Sequence, residues 1–225
     1  MNTDILKRAI EREEQMMYNC YMLIIIFSLI ILLFSIAIHE VSHGQVAYYL
    51  GDPTAKYAGR LTLNPIKHLD PFGSIILPLF LVIMRSPFII GWAKPVPINP
   101  YNFKNPKWDN VKVAIAGPGA NFFIALFFGG LVRFFPLLSA LLPFFSLIIG
   151  YNLLLAIFNL VPIPPLDGSH ILFNLLPERA YQVKKFLRQY GTLLLLFFLF
   201  FGINLLDPLI SFLYQLITGQ AFILF

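Results

Sequence analysis

Residues 20–38, CYMLIIIFSLIILLFSIAI, run without a charge into His39-Glu40-Val41-Ser42-His43. Nineteen uncharged, mostly apolar residues come close to the roughly 20 that a helix needs to cross a bilayer. Immediately after them stand three ionisable side chains, which are costly at membrane depth and are functional candidates there by default. Residues four apart on a helix share a face, so the two imidazoles can converge on one ion with Glu40 beside them. From the chain's own His and Glu content, chance yields this spacing in roughly one such sequence in several hundred.

Composition agrees with a membrane solvent. Of 225 residues, 58% are hydrophobic and only 12% charged, with 24 phenylalanines; a soluble domain carries about 25% charged residues. The expected fold is an all-α polytopic membrane protein, one domain over residues 1–225. About five to six apolar helical segments are expected. A re-entrant or β-hairpin region is expected between the first and second clear spans. The net charge of +5 resides in short loops, where it orients the chain and meets lipid headgroups; no basic patch interleaved with aromatics points to nucleic acid. Cys20 is the single cysteine, which excludes an intrachain disulfide and a Cys-rich zinc site. The first nineteen residues are too polar and acidic for a signal peptide, and residues 20–38 read as a retained span.

Residues 1–19 read as a short amphipathic or frayed helix. The first span covers about residues 21–50 and stops at Gly51-Asp52-Pro53. Residues 71–92 are apolar but broken by Pro78, Arg85 and Pro87, and Lys/Arg-bearing loops flank them. If both loops are cytoplasmic, this segment enters and returns rather than crossing. Pro78 and Pro87 are either a gate beside a cleft or simple helix breaks. Residues 113–131 and 137–160 read as two spans joined at Pro136, and 190–206 as another. Asp207-Pro208 kinks or ends that span, and 209–225 remain apolar as a continuation or a further span. This topology brings the ends of the first span and of 137–160 to one membrane face.

A catalytic zinc site uses three protein ligands and a water, so a third ligand is needed. Asp167 follows the Pro-broken run Asn159-Leu160-Val161-Pro162-Ile163-Pro164-Pro165-Leu166 at the face that His43 occupies. Unwound backbone at such depth is tolerated where it is buried in protein or lines a wet cavity. Taken alone, Asp167 reads as a helix-capping carboxylate; beside the first motif it reads as a ligand, with His170 the alternative if the loop folds differently. Gly168 permits close backbone approach. The expected chemistry is peptide hydrolysis, Glu40 acting as general base on a zinc-bound water. Asn159 either donates a hydrogen bond to the substrate or oxyanion or bonds a neighbouring helix. His68, in a polar loop, reads as a surface or headgroup-facing residue, with a place beside the site as the alternative. Gly117 and Gly119 read as close-packing positions, and residues 197–201 as lipid-facing bulk.

These motifs resemble the site-2 protease family of intramembrane zinc metalloproteases. The resemblance rests on His39-Glu40-x-x-His43, Asn159-x-x-Pro162 and Leu166-Asp167-Gly168, with Ala116-Gly117-Pro118-Gly119-Ala120-Asn121 as its small-residue motif. Residues 59–68 (GRLTLNPIKH), 91–97 (GWAKPVP) and 164–168 (PPLDG) are similar to its short bacterial members. The resemblance implies one Zn²⁺ per chain on His39, His43 and Asp167, and Glu40 as catalytic base. It also implies a transmembrane protein substrate cut in or near the lipid bilayer. Nothing reads as the PDZ or CBS domain of larger relatives. The expected location is the cell (inner) membrane, multi-pass, with the site toward the cytoplasmic side. The rival readings are a metal transporter or sensor, whose permeation path needs polar residues at several depths, and an inactive protease-like binding protein. The sequence carries no signal of subunit number.

Overall fold

A computed structural model of the chain describes residues 3–85, 91–135 and 141–222. The expected turn at Pro136 and the expected gate residue Pro87 lie outside them. The first helix, α1 (Thr3–Tyr49), has 47 residues and extends about 70 Å at 1.5 Å per residue. It contains neither Gly nor Pro before Gly44, so the helix continues through the polar residues 3–19 and the separate N-terminal helix expected there does not exist. Gly51, at φ +107°, turns the chain out of α1 in a conformation that glycine adopts at little cost. The short helix α2 (Thr54–Tyr57) follows.

Residues 71–83 form a six-residue π-helical turn, Pro71–Ile76, that runs into α3 (Leu77–Ile83). Asp70 opens this run, its carboxylate accepting the N–H groups of Phe72 and Gly73. No β-strand occurs among the described residues; the expected hairpin reduces to one antiparallel bridge between Leu69 and Ala93. Residues 94–99 have no regular secondary structure and meet α1 through Val96, at Glu40 and Gly44.

The bundle is organised around α4 (Pro106–Phe134), which packs against α1, α5 (Leu142–Leu160), α6 (Asp167–Leu175) and α8 (Asp207–Thr218). Between α6 and α8, α7 (Tyr181–Phe197) passes through a π turn (Phe198–Gly202) and a 3-10 turn (Ile203–Leu206) into α8. The helical path from Glu178 to Thr218 is continuous enough to count as one crossing. Pro208 sits in the first turn of α8, where a missing N–H costs nothing, so Asp207-Pro208 does not end the span.

Four described helices are long and apolar enough to cross a membrane: Glu11–Tyr49, Pro106–Phe134, Leu142–Leu160 and Glu178–Thr218. That is fewer than the five to six segments expected. The difference lies in the merged final segments and in the Pro71–Ile83 run, which is too short to cross. Their outer faces carry exposed Leu23, Ile26, Phe34, Phe123, Phe197 and Phe201, as lipid contact requires. The inner core joins Ala125, Ile149, Leu153, Leu206, Ile210 and Tyr214. The Tyr214 and Ser146 hydroxyls meet there at 2.6 Å, so the buried phenol keeps a partner.

Candidate metal centre and cleft

His39 and His43 lie one turn apart on α1, and Asp167 opens α6. His39 Nε2 and His43 Nε2 are 3.0 Å apart, and Asp167 Oδ2 stands 3.1 Å from each. Among the described residues these three form the one cluster able to hold a metal ion, their ligand atoms all lying within 4.8 Å of one another. His170, the alternative third ligand, is exposed and stands outside the cluster.

What lies behind the rings decides what faces the centre. The Nδ1–H of His39 donates to Asn121 Oδ1 at 2.6 Å, and the Nδ1–H of His43 donates to Val113 O at 2.6 Å. The Asn121 amide is oriented by its own donations to Ser35 O and Asn152 Oδ1, and Asn152 in turn donates to Ser35 Oγ and Ile148 O. Both histidines therefore carry their proton at Nδ1, and two Nε2 lone pairs meet a carboxylate oxygen. Such backing hydrogen bonds are how proteins orient metal-ligating imidazoles. Three acceptors this close repel unless a positive charge lies between them, either a further proton or a cation. Ligand atoms about 2.0–2.1 Å from a tetrahedral zinc stand about 3.3 Å apart, and the donor set fits.

Two glycines keep this space open. A Cβ on Gly117 would lie 2.3 Å from His43 Nε2 and 2.6 Å from His39 Nε2. A Cβ on Gly168 would lie 2.2 Å from Leu160 O; only glycine lets α6 start against the end of α5 and deliver Asp167. Gly119 faces open space, so its expected packing role is not met.

Glu40 turns away from the cluster's backing network. Its Oε2 accepts the Val96 N–H at 2.8 Å. A cavity of about 1200 Å³ is lined by His39, Glu40 and His43 and also by Trp92, Val96, Asn159, Asp167 and His170. Asn159 donates one Nδ2 hydrogen to Leu155 O, one turn back in α5, while lining the cavity. His68 is 2% exposed, with Nε2–H donating to Thr62 O at 2.8 Å, and is not the surface residue expected.

Sequence reasoning left Asn152, Ser35 and the Val113 carbonyl without a role, and quoted Asn121 only within a motif. The signal was an Asn in the middle of the apolar stretch of each of two helices, a group that must find a partner in a bundle without water. The partner of Glu40 had no such signal, because its donor is backbone.

The arrangement is that of a metallohydrolase centre set among membrane-length helices. The model of Peptidase family M50 matches residues 137–201. The chain is 41% identical over 197 residues to the "Putative zinc metalloprotease YwhC" of Bacillus subtilis, covering 82% of this chain and 86% of that protein. It is 28% identical over 164 residues to the "Putative zinc metalloprotease Rip2" of Mycolicibacterium smegmatis, covering 72% and 62%. Against the protein of that name from Mycobacterium tuberculosis H37Rv it is 28% identical over 138 residues, covering 60% and 52%. No solved structure matches. The chain belongs to Peptidase family M50, the site-2 proteases. It is an integral membrane zinc metalloprotease.

Proposed function

We propose that the chain is an intramembrane endopeptidase that hydrolyses peptide bonds in or near transmembrane segments of other membrane proteins. His39, His43 and Asp167 would hold the zinc ion. The single observation that carries this is the convergence of two lone-pair-bearing Nε2 atoms and a carboxylate oxygen beside a long, largely apolar cavity between crossing helices. A zinc ion held there would supply Lewis acidity, lowering the pKa of water toward ~7 and polarising the scissile carbonyl.

The chain's own residues do the rest. Glu40 takes the proton of the attacking water and returns it to the leaving amine. Val96 N–H holds one of its carboxylate oxygens, and Oε1 has no hydrogen bond among the described residues, so it is the oxygen free to carry the proton. Asn159 gives one of its two Nδ2 hydrogens to Leu155 O and keeps the other, together with Oδ1, for the substrate backbone. The apolar cavity wall selects an apolar, locally extended segment. Residues 71–92 would enter the bilayer and return rather than cross it, with Trp92 N–H on Gly73 O and Lys94 N–H on His68 O tying the ends together. Residues 1–225 act as one domain in the cell membrane, with the Lys- and Arg-bearing loops and the site on the cytoplasmic side. Clustering of the polar residues at one depth speaks against a transport path, and an intact Glu40 beside the metal cluster speaks against an inactive binding protein.

The test is purification in detergent, zinc analysis, and cleavage of transmembrane peptides by wild type and Glu40→Gln. Zinc retained with cleavage lost is the expected outcome; equal cleavage by both sinks the role given to Glu40. Full zinc occupancy in both His39→Ala and Asp167→Ala would sink the ligand set.

A further inference from the structure

Two sequence stretches take no part in the metal cluster: residues 59–68, GRLTLNPIKH, and 91–97, GWAKPVP. The fold locks them together. Arg60 Nη2 donates to Lys94 O at 2.7 Å and reaches Pro95 O at 3.5 Å. Lys94 N–H donates to His68 O at 2.9 Å, and His68 is itself tied to Thr62 O. Arg60 is only 8% exposed and has no carboxylate within ion-pair distance among the described residues. Burying an unpaired charge is expensive, so the guanidinium's place depends on these carbonyls.

What this clamp sets is the position of residue 96. Val96 lies directly on α1, since a Cβ added to Gly44 would come 2.9 Å from Val96 Cγ1. Its N–H is the sole hydrogen-bond donor to Glu40 among the described residues. Pro95 and Pro97 flank it, and neither has an N–H to give. A slip of one residue in either direction would therefore present Glu40 with a proline nitrogen. The far end of the segment is fixed as well: buried Asp52 accepts the Asn99 N–H at 2.7 Å. Residues 94–99 are thus strung between two buried charged groups, Arg60 and Asp52, with Glu40 touching the segment between them.

We propose that Arg60 is a positioning residue for the general base. By holding the Lys94 and Pro95 carbonyls it fixes the register of residues 94–99, so that Val96 N–H meets Glu40. This rests on the reading of Glu40 as that base. Arg60 does not line the cavity, whereas Pro95 and Val96 do, so its loss reaches the site only through the residues it holds. Displacing a catalytic group by about 1 Å costs roughly 100-fold in rate.

The experiment uses the full-length protein in detergent and a synthetic transmembrane peptide that the wild type cleaves. Arg60→Met is expected to lower kcat by about 10–100-fold with zinc content unchanged, any change in KM following from the shift of Pro95 and Val96. Val96→Pro, which deletes the N–H, is expected to fall by a similar factor. Because both act through one link, the double variant should be no worse than Val96→Pro alone. Losses that multiply in the double variant overturn the proposal, as does wild-type kcat in Arg60→Met. Should Arg60→Met lose zinc and helical content together, the same cycle is run with Arg60→Lys, whose single ammonium does not reproduce the guanidinium fork. Non-multiplying losses support the proposal, and multiplying losses or wild-type kcat overturn it. Glu40→Gln in the same series separates the two readings: an active Glu40→Gln sinks the base itself, whereas an inactive one beside an unaffected Arg60 variant sinks only the positioning role.

Discussion

Replacing Gly117 with alanine puts a methyl carbon into the space between two imidazoles. Its ideal position is 2.3 Å from His43 Nε2 and 2.6 Å from His39 Nε2, whereas nonbonded carbon contacts settle near about 3.5–4.0 Å. The rings would have to retreat by about 1 Å. They have nowhere to go, because each is backed by a 2.6 Å hydrogen bond, to Asn121 Oδ1 and to Val113 O. Rotating both rings away breaks both bonds and leaves buried polar groups unpaired, at about 1–3 kcal/mol each. The sum of about 2–6 kcal/mol corresponds to at least roughly a 30-fold loss of zinc affinity at 1.4 kcal/mol per decade. Competition for zinc against a chelator of known affinity measures this, with circular dichroism to follow helix content. Gly119→Ala is the control: its Cβ meets open space, and alanine in a helix is better than glycine by about 1 kcal/mol, so zinc binding should stay at the wild-type level. Wild-type zinc affinity in Gly117→Ala would refute the geometry of the site, and equal loss in both variants would refute the steric reasoning.

Asn121→Ala leaves the His39 N–H without an acceptor and should weaken zinc binding about 10–100-fold. Asn152→Ala, one bond further back, should cost no more than about 10-fold, since Asn121 keeps its bond to Ser35 O; zinc competition that ranks the two in reverse order would contradict the relay. Asp52 bonds Thr54, Asn99 and Asn102, and although burial pushes its carboxyl up, those bonds hold it below its ordinary value of 3.8. Its contribution to stability is therefore fully present above that value and fades as pH falls through the lower folded value; Asp52→Asn should be less stable at neutral pH and lose that part of the acid dependence, as thermal unfolding across pH would register. Stripping zinc should lower the thermal midpoint, zinc at 100 times its dissociation constant contributing about 2.7 kcal/mol, and re-addition should restore the midpoint in wild type but not in His39→Ala.

The ligand chemistry was legible because it is local. Spacing four on a helix gives a shared face wherever the helix lies, and Asp167 after a Pro-broken span can be reached from the end of α1. Helix continuity was less legible. The hydropathy window marks where lipid ends, not where a helix ends, so α1 runs back through the charged residues 3–19 and the last two segments merge past Pro208. His68 was misread because its neighbours Asn64 and Lys67 are polar, while its burial depends on Thr62 and on residues 93–94, which only the fold brings near. The Glu40 partner was hidden more deeply: a backbone N–H has no residue identity to search for.

The polar residues behind His39 explain how a helical bundle with an apolar interior can fix the protonation of a proposed metal ligand. An Asn amide can face either way, and a chain of such amides would leave the imidazole tautomer undetermined. Here the chain ends on groups that can only accept: Asn121 donates to Ser35 O and Asn152 to Ile148 O, both carbonyls of the helices themselves. Asn152 must then present its oxygen to Asn121, and Asn121 its oxygen to His39. His39 is left to donate from Nδ1 and to offer a lone pair at Nε2. His43 reaches the same state in one step, from the Val113 carbonyl. The helix carbonyls of Ser35, Ile148 and Val113 therefore decide which imidazole nitrogens face Asp167 and the proposed zinc, and a substitution that turns either amide should change zinc affinity with His39, His43 and Asp167 intact.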